Sequence, residues 1–116
     1  MEQHSLTPIP FCEMNMKKVD ASTFDESVAA PGVSIIDFYA EWCGPCKMME
    51  SALKQIENED TVEIIKVDID QSPELAARFG IRSIPTILLA KDGDVVDVKV
   101  GTQSTYALRK WIEEKT

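Results

Sequence analysis

The chain has 116 residues, of which 44% are hydrophobic and 28% charged, and its formal net charge is −8. These values fit one soluble globular domain that can bury a core without disulfide or metal staples. The acidic balance argues against nucleic acid or an anionic membrane as a partner, and no apolar run approaches the roughly 18 residues of a membrane-spanning helix.

Residues 1–15 contain two prolines and show no hydrophobic periodicity, so we expect a loose extension ahead of a domain at 16–116. The N-terminus lacks the basic start and the apolar core of a secretory signal. Three cysteines are too few, and an odd number, for the disulfide framework of a secreted protein. We therefore expect a reducing, cytoplasmic location.

The first part of the domain predicts a strand, a helix and a second strand. A short strand begins at MKKV (16–19). The box-like pair Ser22 and Asp25 indicates a helix start, and Pro31-Gly32 indicates its end. VSIIDFY (33–39) is almost continuously apolar, which is typical of a strand buried on both faces of a sheet.

The middle of the chain predicts a helix, a strand and a further helix. Hydrophobic residues at i, i+3, i+4 and i+7 indicate an amphipathic first helix: Met49, Ala52, Leu53 and Ile56. TVEIIKV (61–67) is typical of a buried strand. In SPELAARFG (72–80), Ser72 is a cap, Pro73 occupies the first turn and Gly80 follows the end.

The last third predicts a hairpin and a helix. IPTILLA (84–90) and VVDVKV (95–100), joined through Asp92-Gly93, are typical of an antiparallel hairpin. A final helix begins near Ser104 and places three residues on its apolar side: Leu108, Trp111 and Ile112. The order β-α-β-α-β-α-β-β-α predicts an α/β sandwich of three layers, with about five strands in a mixed sheet between about four helices.

Cys43 and Cys46 are two residues apart, a spacing that serves three chemistries. A structural metal site needs four ligands, and the other candidates, Cys12 and His4, lie in the extension without a second CxxC. A static disulfide would close a very small loop and stabilise little, in a compartment that we expect to be reducing. The third interpretation is a redox-active dithiol.

The dithiol interpretation is supported by the position of the pair between a buried strand and a helix. Cys43 is expected at the helix N-terminus, where free N–H groups and the macrodipole stabilise a thiolate. Cys46 is expected one turn inside the helix, in reach of Cys43 but more protected. An exposed acidic thiol beside a shielded one suits thiol–disulfide exchange, so we predict a redox dithiol.

Four segments that follow the VSIIDFYA strand in order, EWCGPCK, KVDID, FGIRSIPT and KVG, resemble the thioredoxin family over about residues 17–116. The resemblance implies the thioredoxin fold and a protein-disulfide reductase that contributes to cell redox homeostasis. It implies no bound cofactor or metal. It also implies electron supply from NADPH through thioredoxin reductase, with disulfide-containing proteins as substrates. A monomer is the default expectation.

Under this resemblance Cys43 is the nucleophile and Cys46 the resolving cysteine. Asp37 is the one charge in an apolar strand, so burial should raise its pKa and let it accept the proton of Cys46. The alternative is a structural Asp37 paired with Lys66. On the functional interpretation, Lys66 modulates Asp37 and does not act itself.

A flat apolar surface, the docking patch, is expected around the cysteines: Trp42, Gly44, Pro45, Ile84, Pro85 and Gly101. The resemblance implies that Pro85 is cis and packs against the dithiol, and that the backbone at Ile84 pairs with an extended substrate segment. Simple core packing of Trp42 and a plain turn role for Gly101 are the alternatives.

Three features depart from the commonest pattern of the family. Ser51 stands where many members carry a helix-kinking proline, and Tyr39 stands where tryptophan is frequent. The extension adds Cys12, which is either an incidental thiol or one that forms intermolecular or regulatory disulfides. None of these features removes a group that the mechanism needs.

Two other functions use the same sequence features. A disulfide oxidase or isomerase is disfavoured by Gly44-Pro45, because related oxidising proteins commonly place a histidine between the cysteines. A redox-independent binding subunit would use the docking patch without the chemistry of the cysteines.

Overall fold

The computed structural model describes residues 16–60 and 62–116, so the predicted extension, with His4 and Cys12, lies outside the described residues. The elements follow the predicted order: β1 (Lys17–Val19), α1 (Phe24–Val28), β2 (Val33–Tyr39), α2 (Gly44–Asp60), β3 (Glu63–Asp68), α3 (Pro73–Arg78), β4 (Thr86–Lys91), β5 (Asp94–Val100) and α4 (Thr105–Lys115). Of the helices so described, none combines the length and apolar character that crossing a bilayer demands.

The five strands form one mixed sheet in the order β1-β3-β2-β4-β5. β1 and β2 both run parallel to β3, whereas β4 runs antiparallel to β2 and to β5. The predicted mixed sheet with helices on both faces is therefore confirmed. In the β2–β3 register Asp37 lies opposite Lys66, which places two opposite charges side by side on one face of the sheet.

Side chains alternate across the sheet and divide the core between two helix layers. One core lies between the sheet and helices α2 and α4: Ile35, Ile64, Ile87, Leu89, Met49, Leu53, Ile56, Leu108 and Trp111. The other lies between the sheet and helices α1 and α3: Ile36, Phe38, Ile65, Val67, Leu88, Phe24, Val28 and Leu75. The predicted apolar sides of α2 and α4 are confirmed by this packing.

The start of α1 differs from its prediction. Thr23 is the N-cap residue, and its side chain makes no cap hydrogen bond. The Asp20 carboxylate instead accepts hydrogen bonds from the backbone N–H groups of Ser22 and Thr23, at 2.9 and 3.2 Å. The proposed box of Ser22 and Asp25 is wrong, because the earlier aspartate forms a local turn that satisfies these donors first.

The later elements agree with the sequence patterns apart from shifts of one or two residues at their ends, and Ser72 is the N-cap residue of α3 without a side-chain cap hydrogen bond. Asp92 and Gly93 both have positive φ, 51° and 92°, as a tight hairpin turn requires. The Ser104 side chain accepts a hydrogen bond from the Ala107 N–H at 3.1 Å and so caps α4. β4 begins at Thr86, two residues after the predicted start, because Pro85 has no N–H to donate to the ladder.

Candidate active site

The cysteine pair lies where β2 leads into α2, at the carboxyl end of the strand. Cys43 directly precedes the first residue of α2, Gly44, and Cys46 is in the first turn. The two residues are joined as a disulfide with their Cα atoms 5.3 Å apart. The Cys46 N–H donates a hydrogen bond to the Cys43 Sγ at 3.1 Å. The start of a helix of 17 residues thus directs its N–H groups and positive dipole end at Cys43.

Both cysteine side chains are buried in this disulfide form, with 4% of Cys43 and 5% of Cys46 exposed. The expected contrast between an exposed Cys43 and a shielded Cys46 is therefore wrong for this state. The reason is tertiary packing around the disulfide by four hydrophobic residues: Tyr39, Ala40, Ile69 and Ile84. The exposed rim of the site is formed by the neighbouring residues Trp42, Gly44 and Pro45.

Asp37 is buried on the face of the sheet that α2 covers, with 2% of the residue exposed. Its Oδ1 atom has no hydrogen-bond partner among the described residues. Burial raises the pKa of Asp37 to about 7, although the Lys66 charge lowers it, and the Glu50 charge adds to the increase. A carboxyl group with this pKa can take up and release a proton near neutral pH.

Asp37 and Cys46 both line a cavity of about 160 Å³. The residues that line it include polar and charged side chains: Asp37, Tyr39, Glu41, Lys47, Glu50 and Lys66. A cavity of this volume has room for water, so a proton could pass between Cys46 and Asp37 without direct contact of the two groups.

Lys66 contacts groups that sequence reasoning did not connect with it. Its Nζ lies 2.6 Å from Oε2 of Glu50 and 4.1 Å from the centre of the Tyr39 ring. Lys66 thus forms its salt bridge with Glu50. The structural alternative required a salt bridge between Lys66 and Asp37. Glu50 was missed, although its position four residues after Cys46 places both on one side of α2.

Pro85 and Gly101 form the other side of the site. The Ile84–Pro85 peptide bond is cis, as the resemblance implies, and Ile84 packs against the cysteine cluster. Gly101 has a φ of 95° and donates its N–H to the Pro85 carbonyl at 2.8 Å. The structure therefore brings Ile84, Pro85 and Gly101 together beside the cysteines.

Trp42 lies on the surface, with 70% of the residue exposed. Its indole Nε1 donates a hydrogen bond to Oδ2 of Asp70 at 2.8 Å. Simple core packing of Trp42, the alternative considered from sequence, is wrong. Asp70 was missed as a residue of the site, because its 28-residue separation from Trp42 carries no local signal. The expected core position of Trp111 is confirmed, since only 2% of that residue is exposed.

Metal ligation was considered from sequence for the cysteine pair. Across residues 16–60 and 62–116, no group of three or more His, Cys, Asp or Glu side chains could hold a metal ion.

A thioredoxin family model matches residues 15–114 of the chain. The thioredoxin of Rhodospirillum rubrum is 39% identical over 101 residues, which cover 84% of this chain and 97% of that protein. The thioredoxin of Staphylococcus haemolyticus is 44% identical over 103 residues, 87% of this chain and 98% of that protein. A solved structure of a mutant thioredoxin from Halobacterium salinarum superposes with a TM-score of 0.83 and 33% identity, covering 95% of this chain and 96% of that one.

Proposed function

The chain belongs to the thioredoxin family and is a protein-disulfide oxidoreductase, and from this premise we propose a role for each residue of its site. The observation that carries the proposal is the Cys43–Cys46 disulfide at the start of α2, beside the buried carboxyl of Asp37. A redox-independent binding subunit and a disulfide oxidase or isomerase are not favoured by these findings.

The reaction begins with the reduced dithiol. The Cys43 thiolate attacks one sulfur of a substrate disulfide, forming a mixed disulfide and releasing the first substrate thiolate. Cys46 then loses its proton and attacks the Cys43 Sγ. A Cys43–Cys46 bond forms, the bond from Cys43 to the substrate breaks, and the second substrate thiolate leaves. The substrate gains two electrons, and the protein ends in the disulfide form.

Asp37 is the proton acceptor for Cys46 in this scheme. Its support is the shared cavity and a pKa raised to about 7 by burial, which matches the proton affinity of a base to neutral conditions. Lys66 modulates Asp37 through its charge, which lowers the pKa of that carboxyl group.

The docking patch receives the substrate next to Cys43. Trp42, Gly44 and Pro45 supply the rim on one side of the cysteines, and Ile84, Pro85 and Gly101 the other. The Trp42 indole is held by Asp70 at 2.8 Å, so a large exposed ring is ordered before a substrate arrives. An extended substrate segment would pair with the backbone at Ile84 and present its disulfide to Cys43.

The proposal also includes the electron source, the substrates, the location and the monomeric state of the protein. Electrons come from NADPH through thioredoxin reductase, which restores the dithiol, and no cofactor is bound to the chain itself. The substrates are disulfide-containing proteins, the location is cytoplasmic, and the protein works as a monomer whose functional domain spans residues 16–116.

The proposal is tested by dithiothreitol-driven reduction of a protein disulfide, followed for the wild type and for the Cys43→Ser and Cys12→Ser variants. We expect full activity in the wild type and in Cys12→Ser, which is the matched thiol control. We expect complete loss in Cys43→Ser, because the first attack on the substrate disulfide then has no nucleophile at the start of α2.

Two results would contradict this scheme. Activity that persists in Cys43→Ser would exclude Cys43 as the nucleophile. A wild type that is inactive, although its Cys43–Cys46 disulfide forms and reduces normally, would point to the binding-subunit function.

A further inference from the structure

Glu50 lies on α2, one turn after Cys46, and lines the same cavity. It follows Cys46 by four residues, so both face the same side of the helix. Its Oε2 lies 2.6 Å from the Lys66 Nζ, and this ion pair is partly buried, with 14% of the Lys66 side chain and 38% of the Glu50 side chain exposed. Screening by water is therefore weaker than for an ordinary surface pair.

Three carboxylates line the cavity that Lys66 borders, and two of them, Asp37 and Glu50, bear directly on the position of its ammonium group. Lys66 is the direct register partner of Asp37 on the neighbouring parallel strand, so both side chains project from the same face of the sheet. It also lines the same cavity as Asp37 and Glu50. In the structure the ammonium group is bound to Glu50 and lies against the Tyr39 ring, while Oδ1 of Asp37 is left without a hydrogen bond among the described residues.

The choice between these two carboxylates matters because a directly bound ammonium group favours the ionised form of a carboxyl. An Asp37 ion-paired with Lys66 would be a weak base for Cys46. An Asp37 that is buried without this partner keeps a high proton affinity. The Tyr39 ring favours the observed position of the ammonium group through a cation–π contact.

We propose that Glu50 is a positioning residue for the resolving step: by binding the Lys66 ammonium group, it keeps the Asp37 carboxyl unpaired and able to take the proton of Cys46. This inference rests on the proposed role of Asp37. The ionisable groups around the shared cavity come from three parts of the fold: Asp37, Tyr39 and Glu41 from β2 and the loop after it, Cys46, Lys47 and Glu50 from α2, and Lys66 from β3. A neighbouring cavity, which Glu50 and Lys66 also line, adds the ammonium groups of Lys18 from β1 and Lys54 from α2.

In the step concerned, the proton moves from the Cys46 thiol to the Asp37 carboxylate, and the Cys46 thiolate attacks the Cys43 Sγ. The Cys43–Cys46 bond forms as the bond from Cys43 to the substrate sulfur breaks. Glu50 neither gains nor loses a proton in this step. Its own charge adds to the raised pKa of Asp37, and its ion pair determines where the Lys66 charge lies.

The test is a titration of the Asp37 side-chain carboxyl, followed by its ¹³C NMR signal in the oxidised protein, for the wild type and Glu50→Gln. In the wild type burial raises the pKa of Asp37 to about 7. In Glu50→Gln we expect that midpoint to fall by about one pH unit or more, because Lys66 is released toward Asp37. Glu114→Gln removes the same charge from an exposed position of α4 and should leave the midpoint in place.

The same substitution in a protein without the Lys66 ammonium group separates the positioning of Lys66 from the direct effect of the Glu50 charge. In a Lys66→Met protein the Glu50→Gln substitution should move the Asp37 midpoint by less than half as much, because there is no ammonium group to release. An equal shift in both backgrounds, or no shift in either, would overturn the positioning role. If Lys66→Met does not fold, Lys66→Gln provides the same comparison.

A kinetic measurement distinguishes failure of this inference from failure of the proposed function. The second thiolate released when the reduced protein reacts with dithiobis(nitrobenzoate) reports the resolving step, and its pH profile in Glu50→Gln should move in the same direction as the Asp37 titration. An Asp37→Asn protein that resolves at the wild-type rate would overturn the role of Asp37. An unchanged profile in Glu50→Gln, with Asp37→Asn impaired, would overturn the role of Glu50 alone.

Discussion

The two faces of the central sheet are formed by the same strands, yet they bury different kinds of side chain. Toward α1 and α3, strands β2, β3 and β4 contribute a core of hydrophobic residues: Ile36, Phe38, Ile65, Val67 and Leu88. Toward α2 and α4, the same strands place Asp37 and Lys66 beside Ile35, Ile64 and Ile87. Because side chains alternate along a strand, one sheet separates an apolar layer from one that also carries this charged pair.

The difference shows how a small domain accommodates a buried carboxyl group. The apolar layer stabilises the fold through hydrophobic burial, whereas the Asp37 carboxyl opposes folding when it is ionised. The Asp37 carboxyl lies on the side of the core toward α2 and α4, next to a cavity that Glu50 and Lys66 also line. The following three predictions test this division, beginning with the largest expected effect.

Of the three changes, truncation of Phe38 in the apolar layer should have the largest effect on the stability of the protein. Phe38 is fully buried and its ring contacts that of Phe79, with the centroids 5.8 Å apart. We expect Phe38→Ala to lower the free energy of unfolding by about 3–5 kcal/mol, through lost burial and the cavity left behind. Guanidinium denaturation measures the change. Val96→Ala, at an exposed position of β5, is the control and should cost less than about 1 kcal/mol.

Replacement of Asp37 should raise the free energy of unfolding, and the size of the increase should depend on pH. Burial raises the pKa of Asp37 to about 7, above the value of roughly 3.9 in an unfolded chain. The folded state therefore holds a proton that the unfolded state has lost between these two values, and the stability of the wild type falls as pH rises through this window. Asp37→Asn cannot ionise and should be more stable by up to about 4 kcal/mol above pH 7.

The same denaturation series, repeated from pH 4 to pH 8, measures this prediction. The advantage of Asp37→Asn should be small at pH 4 and greatest at pH 8. Asp94→Asn, at an exposed position of β5, removes the same charge and should reproduce the pH dependence of the wild type. A constant difference between Asp37→Asn and the wild type at every pH would contradict the raised pKa.

Loss of the α4 cap should have the smallest effect of the three. The Ser104 side chain accepts a hydrogen bond from the Ala107 N–H at 3.1 Å, at the start of a helix that covers the charged face. We expect Ser104→Ala to cost about 1 kcal/mol, and Ser104→Asp, which keeps a capping oxygen, to be nearly neutral. Equal losses in both variants, measured by denaturation, would show that the cap hydrogen bond is not the cause.

Local patterns were sufficient to predict the order of the elements and several site residues. The apolar run of β2, the periodicity of α2 and the hairpin turn at Asp92-Gly93 each depend on residues close together in sequence. Asp37 was visible because a charge interrupts an apolar strand. Its proposed role, like those of Cys43 and Cys46, stays a prediction.

The parts that sequence did not predict depend on contacts between distant segments. The Lys66–Glu50 and Trp42–Asp70 pairs join residues 16 and 28 positions apart, through packing that no local pattern encodes. The burial of Cys43 was missed for the same reason, since Ile69 and Ile84 arrive from later segments. The prediction for the start of α1 was wrong because the Asp20 carboxylate competes for the same backbone N–H donors.

The pairing of Asp37 with Lys66 across β2 and β3 also bears on how the sheet assembles. A slip of β3 by one residue would turn every side chain of that strand to the other face, so Lys66 would lie in the layer of Ile36, Phe38 and Leu75, away from both Asp37 and Glu50. An unpaired ammonium group in that layer would carry a large desolvation penalty. We therefore expect the two charges proposed to serve the site also to disfavour misaligned strands, so that the proposed chemistry of the protein and the accuracy of its folding would share the same residues.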